Sequence, residues 1–288
     1  TPCGTLFPYT TLFRSLGNDF IVLDDRDGKI RDAAGYDELS KRLCSRHFGI
    51  GADGIIAIGD SETHDFTFTI FNSDGSRAQM CGNGMRCFAK YLYENEITSK
   101  KEMAVETDAG TVRPRILPDE HGQVDSVRVD MGEPVFEPER IPFAGSGERI
   151  VAEKIQTGEG EETVTVLSMG NPHAVVFVKD ITEVDIERRG RCLETHERFP
   201  AGTNAEFIQV LNPDELVMKV WERGAGPTLA CGTGACAAVV AARLNNLSSD
   251  AATVHLDGGD LHIEWNRENN HVYKTGPARL VFTGVVPI

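Results

Sequence analysis

The chain has no excess of basic residues. Its 288 residues carry 29 Lys and Arg against 44 Asp and Glu, a formal charge of −15 at pH 7. A nucleic-acid binder needs the opposite balance to neutralise phosphates, so the composition argues against that class. No clustered basic stretch offers itself to anionic lipid. Apolar runs such as Ala235 to Ala242 fall well short of the ~20 residues that span a bilayer. The opening residues lack a basic segment followed by an apolar core, so no secretory leader is read there. The seven cysteines include no C-x₂-C pair of the kind that zinc, iron–sulfur or dithiol redox sites use. These absences predict a cytoplasmic protein whose thiols stay reduced, with neither nucleic acid nor membrane among its partners.

What is present is an ordinary globular composition, 40% apolar and 25% charged, long enough for one large domain or two. The stretch TLFPYTTLFRS, Thr5 to Ser15, reads as an in-frame translation of a sequencing-adapter oligonucleotide, with no initiator Met before it. Residues 1–15, Cys3 among them, are therefore set outside the functional argument; the other reading is a Thr- and Phe-rich edge strand. Short runs rich in β-branched and aromatic residues predict strands at 20–25, 66–71, 126–130, 163–168, 174–178, 206–210, 216–221 and 261–265. Helices are expected at Asp37–Cys44 and just after glycine-rich turns near Met85 and Ala235. Strands and helices do not alternate regularly, which favours an α+β class over a doubly wound sheet. The Pro-, Gly- and Glu-rich stretch from Glu133 to Glu162 predicts long connections and a domain transition.

One turn occurs twice. CGNGMRC spans Cys81–Cys87 and CGTGAC spans Cys231–Cys236, and each leads into a predicted helix. One copy in each half of the chain suggests a duplication. Glycines let a ligand approach the backbone closely. The first N–H groups of the following helix have no intrahelical partner, and its dipole favours an anion. The same field favours a thiolate. Two such cradles facing one another would hold a carboxylate with a sulfur on each side, the geometry of a two-base racemisation. For either copy alone, a buried structural cysteine is an equal reading.

Several motifs, taken together, resemble the diaminopimelate epimerase family from Leu16 to the C-terminus. They are LGNDF at 16–20, RHFGIGADG at 46–54, FNSDGSRAQMCGNGMRC at 71–87, MGNPHAVVFV at 169–178, GTNAEFIQV at 202–210 and WERGAGPTLACGTGAC at 221–236. The resemblance implies an α+β fold of two pseudo-symmetric domains, residues 1–126 plus 277–288 and residues 127–276. Each would be a mixed curled sheet around a central helix, with the active site in the cleft between them. It implies Cys81 and Cys231 as the acid/base pair, supported by His173 and Glu222. Gly82, Asn83, Gly232 and Thr233 would hold the reacting carboxylate. Asn18, Asn72, Asn171, Asn204, Glu222 and Arg223 would recognise the rest of a small-molecule substrate, diaminopimelate. No cofactor and no metal are implied, and a homodimer is. Where some members carry a glutamine after the Asp of the GxGxD segment, this chain has Gly54. Cys44, Cys87, Cys192 and Cys236 are read as structural or incidental. A proline-type epimerase, a silent binding protein for dicarboxylic amino acids and a thiol-redox protein are the competing readings.

Overall fold

The Phe–Thr alternation of FTFTIFN buries Phe66, Phe68 and Ile70 on one face and turns the threonines to the other, the period-two behaviour of a strand. Strands of this kind dominate the computed structural model, which describes residues 9–287. The chain divides into two units, one reaching Val129 and resuming at Gly276, the other spanning Asp130–Thr275.

The first unit begins with β1 (Tyr9–Ser15), β2 (Asn18–Asp24), α1 (Lys29–Ala34), α2 (Tyr36–Cys44), β3 (Gly54–Gly59), β4 (Phe66–Asn72) and β5 (Arg77–Ala78). It continues through α3 (Gly82–Glu94), β6 (Val105–Thr107), β7 (Gly110–Val112) and a hairpin of β8 (Arg115–Pro118) and β9 (Val124–Asp130). The second unit contains β10 (Ile150–Thr157), β11 (Gly160–Ser168), β12 (Pro172–Val178), α4 (Ile186–Glu194), β13 (Asn204–Asn212) and β14 (Glu215–Glu222). After these come β15 (Gly226–Thr228), α5 (Gly232–Leu244), β16 (Ala251–Leu256), β17 (Gly259–Trp265) and β18 (Val272–Gly276). The chain then returns to the first unit as β19 (Arg279–Val285), antiparallel to β1.

The two units share one strand plan. The first runs β19-β1-β2-β3-β4-β6-β7, and the second contains the path β10-β11-β12-β13-β14-β16-β17-β18. Along β1-β2-β3-β4-β6-β7 the pairs are antiparallel, parallel, antiparallel, parallel, antiparallel. Along β11-β12-β13-β14-β16-β17 the order is the same. A short strand, β5 or β15, flanks β4 or β14 just before the main helix. The α+β class and the mixed sheets are as expected, and the internal repeat extends from the cysteine turns to the whole unit.

Helix α3 packs on β1 through β4 and on β8, and α5 on six strands of its own sheet. Their sequences suit that place. In α5 every residue from Ala235 to Ala242 is without exposed surface, and small side chains let the sheet approach on all sides. In α3, Met85, Cys87, Phe88, Ala89 and Leu92 are equally buried, with Phe88 edge-on to Phe66 and Phe68. Among the described residues, no helix is long and apolar enough to cross a membrane.

Several expectations change. Tyr9–Ser15 is a strand with β2 on one side and β19 on the other, so it lies inside the sheet and not at its edge; Cys3 and residues 5–8 lie outside the described residues. The stretch expected as connections contains β10 and the tight turn into β11, whose ends pair at Thr157 and Gly160. Charge hid α4: within IERRGRCLE only Gly190 and Leu193 are fully inside. Cys192, read as structural or incidental, is half-buried in α4. Its N-terminus is capped by Asp185, which accepts from the Arg188 N–H, the usual service of an aspartate at that position.

Candidate active site

Each cysteine of the repeated turn is the N-cap of the buried helix in its unit. Cys81 and Cys231 both have extended backbones, and each sulfur accepts from the N–H three residues on, Gly84 at 3.4 Å and Gly234 at 3.3 Å. A sulfur in the capping position occupies the positive end of the helix, where negative charge is favoured. Neither thiol is in a disulfide.

In the first unit, Asn18 opens β2, Asn72 closes β4, and Gly82 and Asn83 form the first turn of α3. The strand register puts Asn18, Gly54 and Asn72 at one end of the sheet. A chain of hydrogen bonds fixes part of this set. Arg46 donates to Asp53 at 2.6 Å, and Asp53 accepts from the Asn18 amide at 3.0 Å. Asn18 Oδ1 accepts from Asn83 Nδ2 at 2.7 Å, and Asn83 Oδ1 accepts from Arg86 Nη2 at 2.6 Å. Arg86, fully buried, also donates to Ser15 Oγ at 2.8 Å and to the Gly82 carbonyl. Asn72 stands apart, exposed, donating to Ser76 Oγ at 2.9 Å. At Gly54 a Cβ would meet the Phe71 carbonyl oxygen at 2.5 Å, so the backbone there closes on β4.

The second unit assembles Asn171, His173, Asn204, Glu222, Arg223, Gly232 and Thr233 around the start of α5. His173 is fully buried, its Nε2 2.9 Å from Asn171 Oδ1 and its Nδ1 2.7 Å from Glu206 Oε1. Asn204 is spent on the backbone: its amide donates to the Pro172 carbonyl at 3.0 Å and accepts from the Arg223 N–H at 2.8 Å. It thereby ties the start of β12 to the end of β14. Arg223 is exposed and donates to the Ala201 carbonyl at 3.0 Å. Glu222 accepts from Thr228 Oγ1 at 2.5 Å; no ion pair joins Glu222 to Arg223 among the described residues. Thr233 Oγ1 lies 3.4 Å from Cys231 Sγ. Burial pushes the Cys231 thiol up, and the charges of Glu222 and Glu206 push it further.

The motifs contained four residues of these networks that their spacing alone did not single out. Glu206 follows Asn204 by two residues in a strand, so both point to one face. Arg86 reads as an exposed helical arginine until its helix is known to be buried. Arg46 and Asp53 bracket a glycine-rich loop and serve as the outer end of the amide chain.

A model of the diaminopimelate epimerase family matches residues 12–137 and 165–281. A diaminopimelate epimerase of Desulforapulum autotrophicum is 57% identical over 278 residues, 96% of this chain and 98% of its own length. One from Heliobacterium modesticaldum is 50% identical over 273 residues, covering 95% and 97%. Among solved structures, a PhzF-family phenazine biosynthesis protein from Bacillus anthracis superposes with a TM-score of 0.67 at 15% identity, over 98% of this chain and all of that one. A hydroxyproline epimerase from Agrobacterium vitis gives 0.65 at 16%, over 98% and 93%; at such identity these two speak for the fold alone. On the family model and the near-full-length relatives, the chain belongs to the diaminopimelate epimerase family.

Proposed function

We propose that the protein interconverts LL- and meso-2,6-diaminoheptanedioate without a cofactor, by two-base proton transfer between Cys81 and Cys231. The observation that carries this reading is the repeated cap: two cysteines, each at the N-terminus of a buried helix, in two units of one strand plan. In the LL-to-meso direction the Cys231 thiolate takes the α-proton and becomes a thiol. Negative charge spreads from the α-carbon onto the carboxylate, where the N–H groups of Gly82, Asn83, Gly232 and Thr233 stabilise it. The Cys81 thiol delivers its proton to the opposite face and becomes the thiolate; the reverse reaction exchanges the roles. His173 and Glu222 support this chemistry from beside Cys231.

The distal amino-acid end presents a carboxylate and an ammonium. Arg223 suits the carboxylate through two parallel N–H bonds, and Glu222 the ammonium. Asn18, Asn72, Asn171 and Asn204 contribute amide donors and acceptors. The product serves lysine and peptidoglycan-precursor synthesis, a cytoplasmic task. A homodimer fits the exposed apolar side chains of the edge strand β19, Leu280, Val281, Phe282 and Val285. The deciding experiment is α-proton exchange of diaminopimelate in deuterated water. The parent should exchange and epimerise, and Cys81→Ala and Cys231→Ala should each stop epimerisation; a parent that binds without exchange would sink the reading.

A further inference from the structure

The shared strand plan allows the two cysteine turns to be compared position by position. Asn72 and Glu222 each stand nine residues before their cysteine. Register then matches Phe20, opposite Gly54, with His173, opposite Asn204. Two residues further along β3 and β13, Ile56 matches Glu206. The side chains next to the turns agree with this pairing. A Cβ on Gly84 would meet Ile56 Cδ1 at 3.0 Å, and a Cβ on Gly234 would meet Glu206 Oε1 at 2.7 Å. So where the first unit places a phenylalanine and an isoleucine beneath its cysteine turn, the second places a histidine and a glutamate.

That replacement is costly for folding. Both His173 and Glu206 have no exposed surface. Glu206 Oε1 meets His173 Nδ1, but Oε2 is buried without any hydrogen-bond partner. A buried polar pair with an unsatisfied oxygen is less favourable than well-packed apolar residues, and the first unit has the apolar pair in the same fold. The point a Gly234 Cβ would occupy is also 3.2 Å from Cys231 Sγ, so the carboxyl and the sulfur border the same small space.

We propose that Glu206 is a positioning residue of the reaction. Held by His173 against the first turn of α5, it gives the Cys231 thiol surroundings that the Cys81 thiol lacks and strengthens the hold of Cys231 on its proton. The proposal rests on the two-cysteine reading above. Glu206 Oε1 meets His173 Nδ1 at 2.7 Å and faces the first turn of α5, where it borders Cys231. A negative group there opposes thiolate formation, in the same sense as burial and Glu222. The other groups at the turn are His173 from β12, Glu222 from β14, Lys274 of β18 against Gly232, and the uncharged Thr233 hydroxyl.

The test is the rate of alkylation of each cysteine by iodoacetamide at fixed pH 8 over long exposure, read by peptide mass spectrometry on the unliganded protein. Glu206→Gln should raise the rate at Cys231 by about threefold and leave that at Cys81 in place. The double variant His173→Phe, Glu206→Ile copies the first unit's pair, guards against misfolding, and should shift Cys231 the same way. Glu206→Asp, which keeps the charge, should stay near the parent. A Cys231 rate that does not rise in the folded variants, or an equal rise for both cysteines, would overturn the proposal. Because the readout needs no turnover, it separates from the function itself: a parent lacking α-proton exchange would refute the epimerase reading whatever the thiols do.

Discussion

Asn83 donates its side-chain amide to Asn18 across 2.7 Å, and that single bond ties the first turn of α3 to the start of β2. It is the middle link of the chain from Arg46 to Ser15. Removing the buried end should loosen everything between. Arg86→Met leaves Asn83 Oδ1 and the Gly82 carbonyl without that donor, and should lower unfolding stability by about 2–4 kcal/mol. Urea unfolding measures it, and KM should rise as Asn18 and Asn83 lose their fixed orientation. A variant as stable as the parent would mean that the chain of bonds carries no weight.

The two helix glycines should respond differently to alanine. At Gly84 the new methyl meets the tip of Ile56, a flexible side chain. At Gly234 it meets a buried carboxylate oxygen and both side-chain atoms of Cys231. Gly234→Ala should therefore cost more in melting temperature than Gly84→Ala and should abolish turnover. Equal losses would argue against the carboxyl lying on that turn.

Acid should act through Asp19. Burial pushes its carboxyl up, but the hydrogen-bonded Arg46 guanidinium, the Asp53 N–H and Arg14 together hold it below the usual range. A carboxylate lowered on folding adds stability above its unfolded value and loses it as the pH falls through the folded one. Arg46→Gln should thus destabilise the protein at neutral pH and flatten its stability curve below about pH 4. Chemical unfolding at stepped pH values is the check.

Thiol labelling should spare the helix interiors. Burial pushes Cys44 and Cys87 up to about 12, and a protonated thiol is a poor nucleophile. Iodoacetamide at pH 8 should leave both unmodified in the native protein and modify them after unfolding. Early native labelling of Cys87 would mean that α3 opens readily.

The edge strand gives a fifth test. Leu280→Asp with Phe282→Asp places charge on two of the exposed apolar positions of β19. Sedimentation should show the parent as a dimer and the double variant as a monomer. A parent that sediments as a monomer would remove this surface from consideration.

Much of this was legible in the chain itself. The cysteine turns announced both their helices and their place at the helix ends, because glycine spacing and a following small-residue run have few other uses. The strands with clear alternation, such as Phe66–Asn72, were equally plain. Short strands like β6 and β7, three residues each, carry too little pattern to be read. The amphipathic α4 was hidden by five charged residues in nine. Glu206 lay in plain view within GTNAEFIQV, but a glutamate in a strand reads as solvent-facing unless the burial of that face is known. Likewise the backbone partners of Asn204 could not be read from the sequence.

The matching strand orders have one more consequence. An assembly of two identical halves would be compelled to give both cysteine turns the same surroundings. Encoding the halves in tandem lifts that constraint. Ile56 and Glu206 can differ because each copy mutates alone, so the chain can change the surroundings of one cysteine turn without rewriting those of the other.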